Sequence, residues 1–287
     1  MMTMKIGDLS WQYSVMGAGA TLVFIHGLGN DSKSWSPLAD ELSLRYRIVA
    51  VDLPGYSATG ADQRTPSIDE LTAGLAELLD LLKIESYSVI GHSFGGAVAA
   101  HLVSAGPTQV RTLVLLAPGG LGTEISPVLS LLGSRMGGTL LSFAYRPSTK
   151  RVVEYLANQY REIDSTLERD AKRPNITEFM ETYNHLALPS ARSKLHRGLR
   201  SAIHSNTSLR RDWVLAACAE TPTLIIWGSD DRIVPPWHAE QVKILMPRAR
   251  LETITGAGHA PHRSHVRQTL EIMSAFLEAA NPDAAGD

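Results

Sequence analysis

Residues 89–96 read VIGHSFGG, and this stretch decides the fold that the chain adopts. Val89 and Ile90 are typical of a buried strand, while the alanine-rich residues 95–106 are typical of a helix. Ser93 lies between the two, with a glycine two positions before it and another two positions after it. Such a serine belongs either to a plain tight turn or to a nucleophile elbow, in which a strained backbone exposes the hydroxyl.

Short apolar runs alternate with helical segments on both sides of this stretch. The pattern predicts strands at 21–27, 46–55, 87–91, 110–120, 223–228 and 250–258. It predicts helices at 67–84, 95–106, 235–246 and 266–280, the first of which begins with a capping-box pattern. This alternation predicts an α/β fold with a mostly parallel sheet and helices on both faces. Reactive groups then collect at the carboxyl ends of the strands.

Residues 121–209 break the alternation, because no run in this segment is convincing as a strand. We predict a cap of about three to five helices here, inserted into an α/β core formed by residues 1–120 and 210–280. The small and acidic residues 281–287 are predicted to form a disordered tail. Three apolar residues of the cap are candidates to line a substrate pocket, with packing inside the cap as an equal alternative: Met136, Leu140 and Phe143.

Composition narrows the possible partners. A net charge of −2 over 287 residues predicts no general attraction to nucleic acid or to an anionic membrane. The single cysteine, Cys218, excludes an internal disulfide and a cysteine-based metal cluster. The apolar runs fall short of the roughly 18 residues of a membrane span, and the N-terminal residues lack a secretory h-region. We therefore expect a cytoplasmic monomer or homodimer that acts on a small molecule.

A catalytic constellation distinguishes the elbow from the plain turn. A serine hydroxyl needs a base to become nucleophilic, and the base needs an acid to orient it. Asp230 and Asp231 lie two and three residues after one predicted strand, and His259 directly follows the next. A serine, an aspartate and a histidine in this order, each at a strand end, favour a nucleophile at Ser93.

The tetrahedral intermediate of acyl transfer also needs hydrogen-bond donors for its oxyanion. The backbone N–H of Phe94, directly after the serine, is the first candidate. The second is the backbone N–H of Leu28, which lies between two glycines in the loop after the strand at 21–27. By itself that loop would be interpreted as a plain glycine turn, and the triad is what favours an oxyanion hole.

With these residues the chain resembles the α/β-hydrolase family across essentially its full length. The matching stretches are HGLGN, DLPGYSATG, GHSFGG, APGGLG, WGSDDRIVP and GAGHAPH. The resemblance implies that Asp231, rather than Asp230, is the acid. It implies that the base is His259, and neither His262 nor His265. It also implies that the substrate pocket lies between the cap and the core.

The serine predicts acyl transfer to water, because an aspartate at the elbow would indicate a dehalogenase or an epoxide hydrolase. We expect hydrolysis of an ester, thioester or lactone of a small to medium apolar substrate, with no metal or cofactor. The main alternative is a carbon–carbon bond hydrolase for aromatic ring-fission products, a subfamily that LVLLAPGGLG resembles. Those enzymes typically carry asparagine before the nucleophile and tryptophan after the base, where this chain has His92 and Ala260. A ligand-sensing protein of the same fold, with slow turnover, is a further alternative.

Overall fold

The computed structural model describes most of the core and part of the predicted cap. The described residues are 1–57, 64–106, 109–120, 127–146, 188–204 and 211–280, with single positions at 149, 151, 154 and 184. The tail predicted at 281–287 lies outside the described residues, as does most of the segment between 147 and 187 of the predicted cap. The cap boundaries at 121 and 209 also lie outside them and stay predictions.

Eight strands in the described residues form one sheet, in the order β1-β2-β4-β3-β5-β6-β7-β8. The strands are β1 (Met2–Ile6), β2 (Leu9–Met16), β3 (Thr21–Ile25), β4 (Arg47–Asp52), β5 (Tyr87–His92), β6 (Val110–Leu116), β7 (Thr223–Gly228) and β8 (Arg250–Ile254). Strand β2 pairs antiparallel with β1 and with β4, and all other neighbours in the sheet are parallel. The predicted α/β fold with a mostly parallel sheet is therefore confirmed.

Helices cover both faces of this sheet. In the described ranges they are α1 (Ser36–Leu42), α2 (Ile68–Leu81), α3 (Phe94–Ser104), α4 (Pro127–Gly133), α5 (Gly137–Ala144), α6 (Pro189–His204), α7 (Arg211–Ala217), α8 (His238–Leu245), α9 (Pro261–Ser264) and α10 (Val266–Ala280). A short 3-10 turn at Ser32–Trp35 precedes α1. None of these helices is long and apolar enough to cross a membrane. Helices α4, α5 and α6, which lie between β6 and β7, pack against one another.

The central strands are buried on both sides, which explains their continuous apolar sequence. One face packs against α2, α3, α7 and α8, and includes Val23, Ile25, Val49, Val51, Val89, Leu113, Leu115, Ile225 and Trp227. The other face packs against α1, α10 and Trp35, and includes Leu22, Phe24, Ile48, Ala50, Ile90, Val114, Leu116, Leu224 and Ile226. Because β3 to β8 run parallel, the loops that follow them emerge at one edge of the sheet.

Several local features differ from the sequence prediction. Helices α1, α7 and α9 were not predicted, and the strands predicted to run to 120 and to 258 end at Leu116 and Ile254. The antiparallel hairpin β1–β2 was not predicted, because its partly exposed, mixed polar and apolar residues give no continuous apolar run. Helix α8 begins at His238, whereas the prediction began at Pro235. The consecutive prolines at 235 and 236 account for this delay, because the residue before a proline avoids the helical conformation.

Candidate active site

Ser93 lies between β5 and α3 with a positive φ of 52° and a ψ of −119°. Non-glycine residues rarely adopt a positive φ, and such strain costs roughly 1–3 kcal/mol. Backbone hydrogen bonds hold the turn in place: the Ser93 N–H donates to the Leu116 carbonyl at 3.0 Å. The Ser93 carbonyl accepts from the N–H groups of Gly96 and Gly119, both at 2.9 Å. The strained turn is thus held by β6, by the loop after it and by the first turn of α3.

The two glycines that flank the serine allow chain segments to approach closely. A Cβ atom on Gly91 would lie 2.4 Å from the carbonyl oxygen of Gly95. A Cβ atom on Gly95 would lie 2.3 Å from the carbonyl oxygen of Ile25. Both distances are too short for any side chain, so the turn needs glycine at both positions.

His259 lies between the serine and a carboxylate. Its Nε2 atom is 2.9 Å from Ser93 Oγ, and its Nδ1 atom is 2.8 Å from Asp231 Oδ2. A carboxylate accepts hydrogen bonds, so the neutral imidazole carries its proton on Nδ1. Nε2 is then left as the acceptor for the serine hydroxyl. The geometry therefore brings together the three residues that the sequence predicted as nucleophile, base and acid.

Asp231 and its neighbour Asp230 lie in different surroundings. Asp231 is 4% exposed, and its Oδ1 atom accepts from the backbone N–H groups of Ile233 at 2.8 Å and Val234 at 3.0 Å. These bonds leave Oδ2 directed at the imidazole. Asp230 is exposed, and its Oδ1 atom accepts from the Ser229 hydroxyl at 2.8 Å. Only Asp231, of these two carboxylates, contacts His259.

The candidate oxyanion donors lie in two different elements. Phe94 is the first residue of α3, where the backbone N–H groups and the helix dipole favour negative charge. Leu28 follows β3, and the next residue, Gly29, has a φ of 71° and donates its N–H to the Tyr56 carbonyl at 3.3 Å. Within the described part of the chain, no acceptor takes up the backbone N–H of Leu28 or of Phe94. Both stay candidates to bind an oxyanion.

The loop that carries Leu28 passes directly over the nucleophile. A Cβ atom on Gly27 would lie 3.1 Å from Ser93 Cβ, so this position also favours glycine. His26 sets the path of the loop, because its Nε2 atom accepts from the Leu53 N–H at 3.0 Å. Its Nδ1–H donates to the Gly27 carbonyl at 2.7 Å. The loop is therefore anchored to the end of β4.

Helix α6 lies against the same loop, a contact that the sequence did not predict. Leu195 Cδ1 is 3.3 Å from the place that a Cβ atom on Gly29 would occupy. A Cβ atom on Gly198 would lie 3.0 Å from Leu28 Cδ2. Small residues spaced three apart on α6 would have been the signal for this close approach, since they lie on one helix face.

Tyr56 connects α6 to the first turn of α3. Its ring stacks on the Phe94 ring, with the centroids 4.5 Å apart. Its hydroxyl donates to the Pro66 carbonyl at 2.8 Å and lies 3.3 Å from Ser201 Oγ on α6. The Tyr56 side chain, which stacks on Phe94, is thereby held by the Pro66 carbonyl and by Ser201 of α6.

The three candidate pocket residues lie at the surface of the described structure. Met136, directly before α5, is 67% exposed, and Leu140 and Phe143 on α5 are 39% and 61% exposed, whereas Leu141 on the same helix is buried. Their role in a pocket stays a prediction. Among the described residues, no group of three or more His, Cys, Asp or Glu side chains is placed to hold a metal ion.

Comparison with known proteins agrees with this fold. The sequence profile of the alpha/beta hydrolase family matches residues 22–272, a range that contains all three polar residues of the site. An uncharacterised protein of Mycobacterium tuberculosis is 27% identical over 274 residues, which cover 94% of this chain and 79% of that protein. The 2-hydroxy-6-oxononadienedioate/2-hydroxy-6-oxononatrienedioate hydrolase 2 of Pseudomonas putida is 27% identical over 278 residues, covering 94% and 92%. The solved structure of a meta-cleavage product hydrolase from Pseudomonas fluorescens IP01 superposes with a TM-score of 0.75, at 20% identity and 98% coverage of each chain.

Proposed function

The chain belongs to the alpha/beta hydrolase family and is a hydrolase, and from this premise we propose that it cleaves a carboxylic ester, thioester or lactone through an acyl-enzyme. The observation that carries the proposal is the series of hydrogen bonds from Asp231 through His259 to Ser93, at 2.8 and 2.9 Å. This arrangement activates a serine hydroxyl, which then attacks an acyl carbon. The substrate that we propose is a small to medium apolar molecule.

Acylation uses each of the residues at the site. Ser93 Oγ attacks the acyl carbon while His259 Nε2 accepts the hydroxyl proton. The imidazolium stays hydrogen-bonded to Asp231, whose negative charge stabilises it. The backbone N–H groups of Leu28 and Phe94 donate to the oxyanion that develops on the carbonyl oxygen. The imidazolium then protonates the leaving oxygen or sulfur, the bond to the acyl carbon breaks, and the acyl-enzyme remains.

Deacylation repeats these steps with water as the nucleophile. His259 Nε2 takes a proton from the water, whose oxygen attacks the acyl carbon and forms a second oxyanion. The intermediate collapses when the imidazolium returns that proton to Ser93 Oγ. The carboxylic acid leaves, and the site regains its starting protonation. Apart from the substrate, the proposed cycle consumes only one water molecule.

We further propose that residues 121–209 form a cap, with the substrate pocket between the cap and the core. The support comes from the described parts of this segment. Helices α4, α5 and α6 pack together, and α6 lies against Leu28 and Gly29 in the candidate oxyanion loop. A substrate bound beside Ser93 would therefore be bordered by α6. Such a covering excludes water and strengthens hydrogen bonds to the oxyanion.

The second candidate is hydrolysis of a carbon–carbon bond in a ring-fission product. It is favoured by the Pseudomonas putida relative, which is named as a hydrolase of 2-hydroxy-6-oxononadienedioate and 2-hydroxy-6-oxononatrienedioate and which matches 94% of this chain. Against it, His92 and Ala260 occupy the positions where that subfamily typically has asparagine and tryptophan. Ester, thioester or lactone hydrolysis is therefore the first candidate.

A substrate panel tests this order. It consists of nitrophenyl esters from acetate to decanoate, a thioester, a lactone and 2-hydroxy-6-oxo-6-phenylhexa-2,4-dienoate. We expect kcat/KM for the best ester, thioester or lactone to exceed that for the dienoate by at least about tenfold. The reverse ratio would establish the carbon–carbon hydrolase. Slow turnover of every substrate in the panel would instead indicate the ligand-sensing alternative.

A further inference from the structure

His92 directly precedes the proposed nucleophile, and its side chain reaches the segment that carries the proposed base. The residue is 3% exposed, and its Nε2 atom lies 2.8 Å from the carbonyl oxygen of His259, 167 positions away in the chain. A carbonyl oxygen only accepts hydrogen bonds, so the His92 ring donates a proton from Nε2. This bond joins the end of β5 to the segment after β8.

The same ring lies against the oxyanion loop and a second buried histidine. On one side, a Cβ atom on Gly27 would lie 2.9 Å from His92 Nδ1. On the other sides, the His92 ring centroid is 4.9 Å from that of His259 and 4.5 Å from that of His262. His92 is therefore wedged between the loop with the oxyanion donors and the loop with the base.

His262 supports this arrangement from the interior. It is fully buried, and its two ring nitrogens have no hydrogen-bond partner among the described residues. Its ring centroid lies 4.5 Å from that of Trp35, which stacks on Phe24 at 4.9 Å. A continuous row of rings thus runs from the core beside β3 to His92, and close packing of this kind leaves little freedom to move.

We propose that His92 is a positioning residue for His259. By binding the His259 backbone carbonyl, it holds the segment after β8 at the distance from which His259 Nε2 reaches Ser93 Oγ. The inference rests on the proposed function, because it assigns His92 to the same reaction. Asp231 and His92 then have separate tasks: the carboxylate sets the tautomer of the imidazole, and the His92 ring sets the position of the backbone.

Both supporting histidines have the charge state that this role requires. Burial, followed by the nearby His262 and His259, holds the pKa of His92 well below its usual value. Burial, followed by Arg263 and His259, lowers the pKa of His262 to about 3. Both rings are therefore neutral near pH 7, and His92 keeps its single proton on Nε2.

A pair of variants of equal side-chain length tests the proposal in the purified full chain. In His92→Gln, the amide N–H can still donate to the His259 carbonyl, whereas His92→Met has a similar shape and no donor. We expect the Met variant to lower kcat for the best ester about 10- to 100-fold, with KM changed less than about threefold. We expect the Gln variant to stay within about fivefold of the wild type. Thermal unfolding should give similar midpoints for the two variants.

Two further measurements distinguish failure of this inference from failure of the proposed function. The rate of labelling by a fluorophosphonate reports on the Ser93 nucleophile without depending on the substrate. The downfield proton NMR signal of the His259 Nδ1–H reports on the imidazole without any reaction. We expect labelling to be slower in the Met variant, and the NMR signal to be shifted or broadened in it, with both near wild type in the Gln variant.

Equal kcat values and unchanged NMR signals in the Gln and Met variants would overturn the positioning role. A wild-type chain that is neither labelled at Ser93 nor active on any substrate would contradict the proposed function, and the NMR comparison would still decide the role of His92. If the Met variant cannot be purified, His92→Asn replaces it. The shorter Asn amide loses the contact with His259, and it should lower kcat as the Met variant does.

Discussion

Two regions border the candidate site, and they contact it through different kinds of group. One is the set of loops at the carboxyl edge of the sheet, and the other is the set of helices inserted between β6 and β7. In the loops, Ser93, Asp231 and His259 are tied to each other and to the backbone by hydrogen bonds of 2.8–3.0 Å. The inserted helices contact the same region mainly through Leu195 and Gly198, which touch the loop without polar groups. The comparison suggests that the loops carry the chemistry and that the helices shape the space beside it.

Ser93→Ala tests the loop side with the largest expected effect. We expect kcat for the best ester to fall by at least about 10³-fold, because the alanine provides no nucleophile. Removing one hydroxyl at a turn leaves no large cavity, so the midpoint of thermal unfolding should change little. The matched control is Ser104→Ala at the other end of α3, which removes a hydroxyl that donates to the His101 carbonyl at 2.9 Å. Residual activity within about tenfold of wild type would remove Ser93 from the mechanism.

Asp231→Asn is expected to lower kcat by about 10²- to 10⁴-fold. The amide NH₂ can donate to His259 Nδ1, which favours the tautomer that cannot accept the serine proton. The side-chain oxygen can still accept from Ile233 and Val234, so the fold should be retained. Steady-state kinetics and near-UV circular dichroism check the two parts of this prediction.

The neighbouring carboxylate supplies the control for that variant. Asp230→Asn removes the same charge one residue away, at an exposed side chain that contacts Ser229. Its kcat should stay within about threefold of the wild type, since exposed charges contribute little. If the two variants exchanged their effects, Asp230 would be the acid.

The loop side of the site was also the side that the sequence could predict. Gly91, Ser93 and Gly95 form a pattern within five residues, and each partner residue lies near the end of an apolar run that is visible locally. The order of these runs along the chain, together with the parallel sheet, then brings the three residues to one edge. Local pattern and global fold agree here, which is why His259 lies within hydrogen-bond distance of both Ser93 and Asp231 in the structure.

The contacts of α6 could not be predicted in the same way. Gly198 and Ser201 are unremarkable within a helical sequence, because their closeness to Leu28 and Tyr56 depends on how α6 crosses the loop. The bond from His92 to the His259 carbonyl has the same origin, since it joins segments 167 residues apart. Such contacts arise from the packing of distant segments. The three-residue spacing of Gly198 and Ser201 marks a face of α6 that permits a close approach, but it does not identify the residues that this face meets.

Gly198→Ala tests the helix side at its contact with the oxyanion loop. The new Cβ atom would lie 3.0 Å from Leu28 Cδ2 and 3.1 Å from Tyr56 Cδ1. Alanine favours a helix interior over glycine by roughly 0.5–1 kcal/mol, which offsets part of this crowding in the free energy of unfolding. We therefore expect near-normal stability and a change of about three- to tenfold in the ratio of kcat/KM between long and short esters.

Gly138→Ala in α5 is the matched control for that variant. Its Cβ atom would also meet a neighbour at 3.0 Å, but the neighbour is the His196 ring, on α6. The crowded contact would lie between the inserted helices α5 and α6, and it would not involve Leu28 or Tyr56. If both glycine variants changed the ester preference equally, the effect would reflect packing among the helices and not the contact with the loop.

Truncation of the exposed apolar side chains on α5 and directly before it should have the smallest effect on kcat and gives the sharpest test of the comparison. Met136→Ala, Leu140→Ala and Phe143→Ala each remove a side chain that is more than a third exposed, so the free energy of unfolding should change by less than about 0.5 kcal/mol. If these side chains contact the acyl or alcohol chain, the preferred ester length should shift. The expected change in discrimination is about 1–3 kcal/mol per deleted group. The dependence of kcat/KM on pH should stay unchanged, because the proposed base and its carboxylate lie on the loops.

Ile244→Ala on α8, which is 79% exposed, controls for loss of any exposed apolar group. A flat ester profile in all three variants would mean that the pocket is lined by other residues, with α6 as the next candidate.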